Sequence, residues 1–429
     1  MKAFLTIWLY STLSIILLTG CSKSENPINM NDDFNQITIS STAHNDITGL
    51  DLDVLFNVKD ENGTDYTFEA DIYIDGTLLE SNTYTFTQIG VYKVVAQLND
   101  LTSNTLQITV IDQNSRVLDF NENRLMRNQN VVFTLMDYTG EDTANQATFY
   151  INDNPITGYT FNSETPGEYK VYASYEVDGQ TRNTETKEFS VYIPKRYLVI
   201  EDYTGTWCGY CPGVLEAIDK VTQETEYVNV VALHKTSFSF EDPMHFDDLP
   251  ILENEYDVQG YPSARINRSQ KWNRPYPHEE AMTYAGSETD CSIKIDSKLQ
   301  KDKLKLDVDV IFEKGTETGD KIVVYLVENG IISDQINYYN DDPDSPYYQA
   351  GNPIPDFEHN NVLRESLTHV LGDELPSLDA FQKHSLNFEI NLNPDYDKEN
   401  LEIIVMLMDF THTAKNSRSA KIGVKAEYN

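Results

Sequence analysis

The chain is 429 residues long and carries 32 Lys and Arg against 69 Asp and Glu, a formal net charge of −37 at pH 7. An excess of acid on this scale argues against nucleic acid or an anionic lipid surface as an electrostatic partner, and fits the solubility of an exported protein. With 40% hydrophobic and 11% aromatic residues, the composition is that of several globular domains and not of a disordered chain.

Residues 1–20 read as a targeting segment. Lys2 gives a positive start, and Ala3 to Leu18 is an apolar run broken only by Thr6, Ser11, Thr12 and Ser14. That is the pattern of a secretory signal, and the run is short for a spanning helix. It ends in Leu18-Thr19-Gly20-Cys21, which resembles the bacterial lipobox. The resemblance implies that Cys21 is acylated, with palmitate as the expected kind of chain, and becomes the new N-terminus. Acyl chains would hold the protein on one leaflet and not across it. No later segment is long and apolar enough to span a bilayer as a helix. Residues 21–35 are the lipidated Cys and a polar tether, Ser22-Lys23-Ser24-Glu25-Asn26-Pro27 and onward,.

An internal repeat follows. Ile72-Tyr73-Ile74-Asp75 recurs as Phe149-Tyr150-Ile151-Asn152, Tyr84-Thr85-Phe86 as Tyr159-Thr160-Phe161, and Gly90-Val91-Tyr92-Lys93-Val94 as Gly167-Glu168-Tyr169-Lys170-Val171. Both halves alternate apolar and polar residues between turn signals such as Asp75-Gly76 and Thr165-Pro166-Gly167,. Two tandem β-sandwiches of immunoglobulin-like type are expected at 36–112 and 113–194. Gly-x-Tyr-Lys-Val resembles the tyrosine-corner strand of such sandwiches, although the inter-sheet cysteines are absent. Their expected role is as spacers.

The next stretch, 196–285, carries the chemistry. Tyr197-Leu198-Val199-Ile200 runs into Thr206-Trp207-Cys208-Gly209-Tyr210-Cys211-Pro212, after which Val214, Ile218 and Val221 keep helical spacing. The reading is strand, tight turn and helix, with two thiols at the turn. A thiol at a helix N-terminus is favoured as thiolate, the attacking species in disulfide exchange, and the second thiol can resolve the mixed disulfide. Half of a zinc site is the alternative, but there is no second Cys-x-x-Cys. A structural disulfide with no turnover stays open.

Trp207-Cys208-Gly209-Tyr210-Cys211 resembles the thioredoxin signature. The resemblance implies that Cys208 is the nucleophile and Cys211 the resolving thiol, paired as a disulfide when oxidised. It places the proton-relaying acid at Asp202, six positions before Cys208. Glu201 falls on the opposite face of the strand by alternation. Val258-Gln259-Gly260-Tyr261-Pro262-Ser263-Ala264 resembles the loop carrying that family's cis-proline, with Ser263 where Thr is usual. Val228 to His234 reads as a second parallel strand, Leu249 to Tyr256 and Glu279 to Tyr284 as helices. His234 reads as a satisfied polar residue. No cofactor and no metal is expected.

Residues 286–429 read as a further β-sandwich: Leu304, Leu306, Val308, Val310 and Phe312 alternate, as do Leu386, Phe388, Ile390 and Leu392, and Ile322–Val327, Leu401–Met408 and Ser419–Val424 complete it,. The long connection 333–384 includes Asp341-Asp342-Pro343-Asp344, a cluster that could bind calcium but lacks EF-hand spacing and reads as a solvated loop,. Cys291 reads as a buried apolar residue at a strand start.

The fold class expected is multidomain: an α/β thioredoxin-like domain flanked by all-β immunoglobulin-like sandwiches. The 196–429 arrangement is similar to the outer-membrane-protein-twenty-eight family of Gram-negative lipoproteins, through Glu201 to Pro212, Gly260-Tyr261-Pro262 and His359 to Arg364. This implies an outer-membrane location, on the periplasmic face or the cell surface. Two functions are carried forward. One is a membrane-anchored thiol–disulfide oxidoreductase acting on protein substrates, with Pro262 shaping the groove. The other is an outer-membrane or surface binding and adhesion protein that keeps the thioredoxin fold as a scaffold for an envelope partner.

Overall fold

A computed structural model describes residues 34–429. The targeting segment, Cys21 and most of the tether lie outside the described residues. The chain is mostly β-sandwich with few helices, and it divides into two compact units. One comprises the residues up to Ser115 together with Asp137–Glu141; the other comprises Arg116–Met136 and Asp142–Asn429.

The first unit is a two-sheet sandwich. One sheet pairs Ile37–Ser41, Asp53–Asp60 and Thr83–Thr85; the other runs Ile47–Gly49, Leu106–Ile111, Gly90–Leu98, Asp71–Ile74 and Thr77–Leu78. Alternation decides the faces: Val54, Phe56 and Val58 are buried, while Asp53, Leu55 and Lys59 are exposed,. Ile47–Gly49 is parallel to Leu106–Ile111, and every other pair in the unit is antiparallel.

The second unit opens with the repeat of that sandwich. Val117–Phe120, Val131–Met136 and Thr160–Phe161 form one sheet, and Arg124–Met126, Lys187–Tyr192, Gly167–Val177, Thr148–Ile151 and Asn154–Pro155 the other, again with its short strand parallel to the last. The hairpin turns match: Asp75-Gly76 and Asn152-Asp153 both sit at positive φ, the backbone that a two-residue turn between twisted strands needs. The Tyr92 hydroxyl donates to the Gln88 carbonyl at 3.0 Å, and Tyr169 donates to Thr165 at 2.8 Å. Each phenol thus ties its strand back to the preceding corner.

The rest of the second unit is built on one continuous sheet. Its strands run Gln270–Trp272, Ser263–Ile266, Leu198–Thr204, Val228–His234, Val362–Ser366, Lys321–Glu328, Leu401–Met408 and Ala414–Lys421, with Asp373–Glu374 beside Lys321–Glu328. Leu198–Thr204 is parallel to Val228–His234 and antiparallel to Ser263–Ile266. Val228–His234 then meets Val362–Ser366 through Ala232 and Val362. A second sheet of Cys291–Gln300, Lys303–Phe312 and His384–Asn391 packs on one face of the 321–328 and 401–408 strands. The other face of those two strands packs on Val199, Tyr203, Val231, Leu233 and the Leu249–Glu255 helix. Covering on both faces is the reason 322–327 and 403–408 are uninterrupted apolar runs,.

Helix Pro212–Glu224 lies on the opposite side, where Val214, Ala217, Ile218 and Val221 meet Leu198, Ile200, Val230 and Trp272. The short helix His278–Met282 joins this layer through Ala281. The long 333–384 connection is not a featureless loop. It carries a hairpin, Ile331–Gln335 with Ile354–His359, and then the sheet strand Val362–Ser366. Cys291 is fully buried, and burial pushes its thiol up to about 12, so it behaves as a core residue.

Candidate functional site

Leu198–Thr204 is buried along its whole length and delivers residues 205–211 to the end of the sheet. Two turn hydrogen bonds, Cys208 N–H to Gly205 O at 2.9 Å and Cys211 N–H to Cys208 O at 3.1 Å, wind the chain into the helix. Cys211 is the residue before the helix and Pro212 its first member, where proline's missing N–H costs nothing. Cys208 and Cys211 form a disulfide with Cα atoms 5.3 Å apart. Neither is exposed: Cys208 shows 3% of its surface and Cys211 none.

Asp202 and Pro262 are the two groups that the sequence places beside the loop. Asp202 is fully buried, its oxygens meet no hydrogen-bond donor, and burial pushes its carboxyl up to about 8,. It shares its strand face with Leu198 and Ile200, on the side of the Pro212–Glu224 helix, while Val199 and Tyr203 face the other way. Glu201 is on that other face and pairs with Arg268. The Tyr261–Pro262 bond is cis, and the Tyr261 ring lies 5.6 Å from the Trp207 ring. Trp207 is held in turn by its Nε1–H, which donates to Lys235 O at 2.6 Å. Tyr261 also donates to Glu253 at 2.8 Å, and Lys235 pairs with the same carboxylate. A groove of about 250 Å³ lies along Trp207, Lys235, Phe238, Glu253, Gln259 and Tyr261. Phe238, at its rim, is fully exposed.

His234, at the end of its strand, is a satisfied polar residue. Its Nδ1 lies 3.1 Å from Asp242 Oδ2, and the same oxygen accepts the Thr206 N–H at 2.8 Å. Burial raises the Asp242 pKa, but the His234 contact and the N–H groups of Thr206 and Met244 outweigh it and hold the carboxyl below its usual range. The His359 ring packs edge-on against His234 at 5.2 Å. Burial, with His234 beside it, pushes His359 down to about 4, so it stays neutral near pH 7. Among the described residues no group of three His, Cys, Asp or Glu side chains is placed to hold a metal ion.

What the sequence did not reveal is the cover. Residues 335–339, at the tip side of the 331–359 hairpin, lie on the Cys-x-x-Cys loop. Ile336 N–H donates to Thr206 O and Tyr338 N–H to Gly209 O, both at 2.8 Å. The buried Gln335 amide donates to Cys208 O at 3.1 Å and reaches Gly205 O at 3.4 Å. A Cβ at Gly209 would come within 2.5 Å of the Tyr338 ring, so only glycine leaves room for it. Tyr339 comes as close to Gly213, and the Arg274 guanidinium sits over both Tyr210 and Tyr339. Residues 335–339 lie more than a hundred positions from the loop they cover, and no local motif signals such a contact.

No curated protein matches the chain. Among solved structures it is similar to the D00–D0 domain of intimin, at 16% identity over 36% of this chain and 98% of that chain, with a TM-score of 0.16. It is also similar to domains 5–6 of the S-layer protein SbsC, at 14% identity over 37% and 97% of the two chains and a TM-score of 0.16. Three N-terminal domains of the bacteriophage RB49 highly immunogenic outer capsid protein match at 10% identity over 90% and 97%, with a TM-score of 0.17. Residues 251–426 match the family model described as outer membrane protein Omp28; the stretch includes Pro262 and the covering hairpin and begins after Cys211, and the match sets the location of the chain at the outer membrane.

Proposed function

We propose that this chain is a lipid-anchored outer-membrane protein that binds an envelope or surface partner protein. In this reading the two immunoglobulin-like sandwiches are spacers and the 196–285 stretch is a thioredoxin-like scaffold. Support for the thioredoxin-like reading comes from the strand order and directions around Leu198–Thr204 and the helix that begins after Cys211. The observation that carries the binding reading over catalysis is the burial of the disulfide beneath Gln335–Tyr339. A sulfur that attacks or is attacked must be reached in line by its partner, and Cys208 is 3% exposed,. The groove beside Trp207 and the exposed Phe238 supply a surface for a partner,. The test is the wild-type protein, purified without reductant, on a small disulfide substrate. The scaffold reading expects exchange no faster than a free dithiol gives. Turnover above that rate would overturn it.

A second reading, a thiol–disulfide oxidoreductase, is favoured by Asp202. A buried carboxyl without a hydrogen-bond partner stabilises nothing,, whereas a carboxyl titrating near neutrality can move a proton. Here Cys208 attacks, Cys211 resolves, Asp202 takes the proton from Cys211, and Pro262 shapes the groove. Cys211→Ser would then accumulate mixed disulfide in cells, since attack survives and resolution does not, and Cys208→Ser would accumulate none.

A further inference from the structure

We propose that residues 335–339 are an autoinhibitory strap, and that thiol attack on the Cys208–Cys211 disulfide waits on its release. This rests on the thioredoxin-like reading of the site, but not on whether the disulfide turns over.

The strap is not a loop that merely drifts nearby. Its two main-chain hydrogen bonds, from Ile336 and Tyr338, end on the carbonyls of Thr206 and Gly209, residues that bracket Cys208. Gln335 adds a third anchor, with one side-chain amide directed at Gly205 O, Cys208 O and Ile336 O. The acceptors therefore belong to the same turn that holds the sulfurs. The Tyr338 ring fills the space over Gly209, with its outer edge in solvent at 58% exposure. Behind the strap, Asn337 is fully buried and its amide donates to Tyr347 O and Gly351 O, both at 3.0 Å. Thus the segment is shaped by its own loop before it meets the disulfide, and it can lift as one piece. Its hold on the turn and the start of the helix is two backbone bonds, one side-chain amide and two rings, Tyr338 over Gly209 and Tyr339 against Gly213 and Tyr210. Each such bond contributes only about 1 kcal/mol net, which makes local opening far cheaper than unfolding the sheet beneath.

The chemistry gated by the strap is ordinary exchange. One thiolate of dithiothreitol bonds to a protein sulfur while the other protein sulfur leaves as a thiolate. The second dithiothreitol sulfur then displaces the first protein sulfur. The protein gains two electrons and two protons, and the reagent ends as its cyclic disulfide.

The experiment measures the rate of reduction of the full chain by dithiothreitol, by trapping and mass spectrometry, for wild type, Gln335→Ala and Tyr338→Ala. Release of the strap is expected to speed reduction by about tenfold or more in variants that remain folded. Equal rates in a folded variant would overturn the proposal. Should the variants not fold, amide hydrogen exchange on the oxidised wild type decides. Protection of the Ile336 and Tyr338 amides that is lost on reduction supports the strap; exchange as fast as in a free peptide refutes it. Faster reduction without any turnover of a disulfide substrate leaves the strap standing and removes only the oxidoreductase reading.

Discussion

Arg268 Nε lies 2.8 Å from Glu201 Oε1, and neither side chain reaches solvent. The guanidinium also donates to the Tyr325 hydroxyl at 2.6 Å and to Val370 O at 2.9 Å. Glu201 belongs to the strand that leads to the disulfide, and Tyr325 to the 321–328 strand of the C-terminal sandwich. Arg268 itself sits at positive φ in the hairpin turn after Ser263–Ile266, which aims its side chain back into the core.

Removing one partner of such a pair strands a charge in the interior. Arg268→Ala is expected to cost roughly 3–5 kcal/mol. Replacing both partners, as Glu201→Leu with Arg268→Met, is expected to recover much of that loss. Urea unfolding followed by tryptophan fluorescence checks both. A single Arg268→Ala that unfolds like wild type would show that the pair does not join the two halves of the sheet.

Asp202 gives a pH dependence whose sign is fixed. Its folded pKa is raised by burial from 3.8 to about 8. Between those values the native state keeps a proton that the unfolded state has released. Stability therefore falls as pH rises from about 4 to about 8 and levels off above. Asp202→Asn abolishes that slope. The variant is expected to be more stable than wild type at pH 9, by an amount on the order of 3–5 kcal/mol, with the gap closing below about pH 4. Denaturant midpoints of the two proteins at pH 4, 6 and 9 test it, and parallel profiles would refute a neutral buried Asp202.

Gly209→Ala pushes a methyl into the Tyr338 ring, since a Cβ there would lie 2.5 Å from it. The ring and not the disulfide turn is expected to yield, because the ring edge faces solvent. Limited proteolysis should then cut within 336–353 at least several times faster than in wild type. An unchanged digestion pattern would mean the turn moves instead.

The anchor reading predicts a simple fractionation result. Cys21→Ser should move the protein from the membrane pellet into the soluble envelope fraction, since no acyl chain can be attached. Retention of the variant in the pellet after a high-salt wash would count against lipidation.

The strand–turn–helix around Cys208 could be read from sequence because every signal for it is local: an apolar run, two cysteines, a proline and a helical stripe. Asp202 and Glu201 could be assigned to opposite faces by alternation alone. The repeat was visible because its tyrosines and turn residues recur in register. What stayed hidden depends on distance along the chain. Ala232 meets Val362, and neither sequence announces the other. The Asp-rich tip of the 333–384 connection reads as solvated, and the buried residues nearest the disulfide, Gln335, Asn337 and His359, are polar and carry no periodic pattern. Polar residues buried by long-range contacts are where one-dimensional reading fails.

In each immunoglobulin-like sandwich, a short early strand lies parallel to the last long one, 47–49 beside 106–111 and 124–126 beside 187–192. Hydrogen bonds between such strands run across the direction in which the chain would be tugged from its two ends. A mechanical load is then shared by several rungs in shear and not taken by one rung at a time, as it would be in a peeled hairpin. For a sandwich pulled from its two ends, that geometry resists tension along the chain.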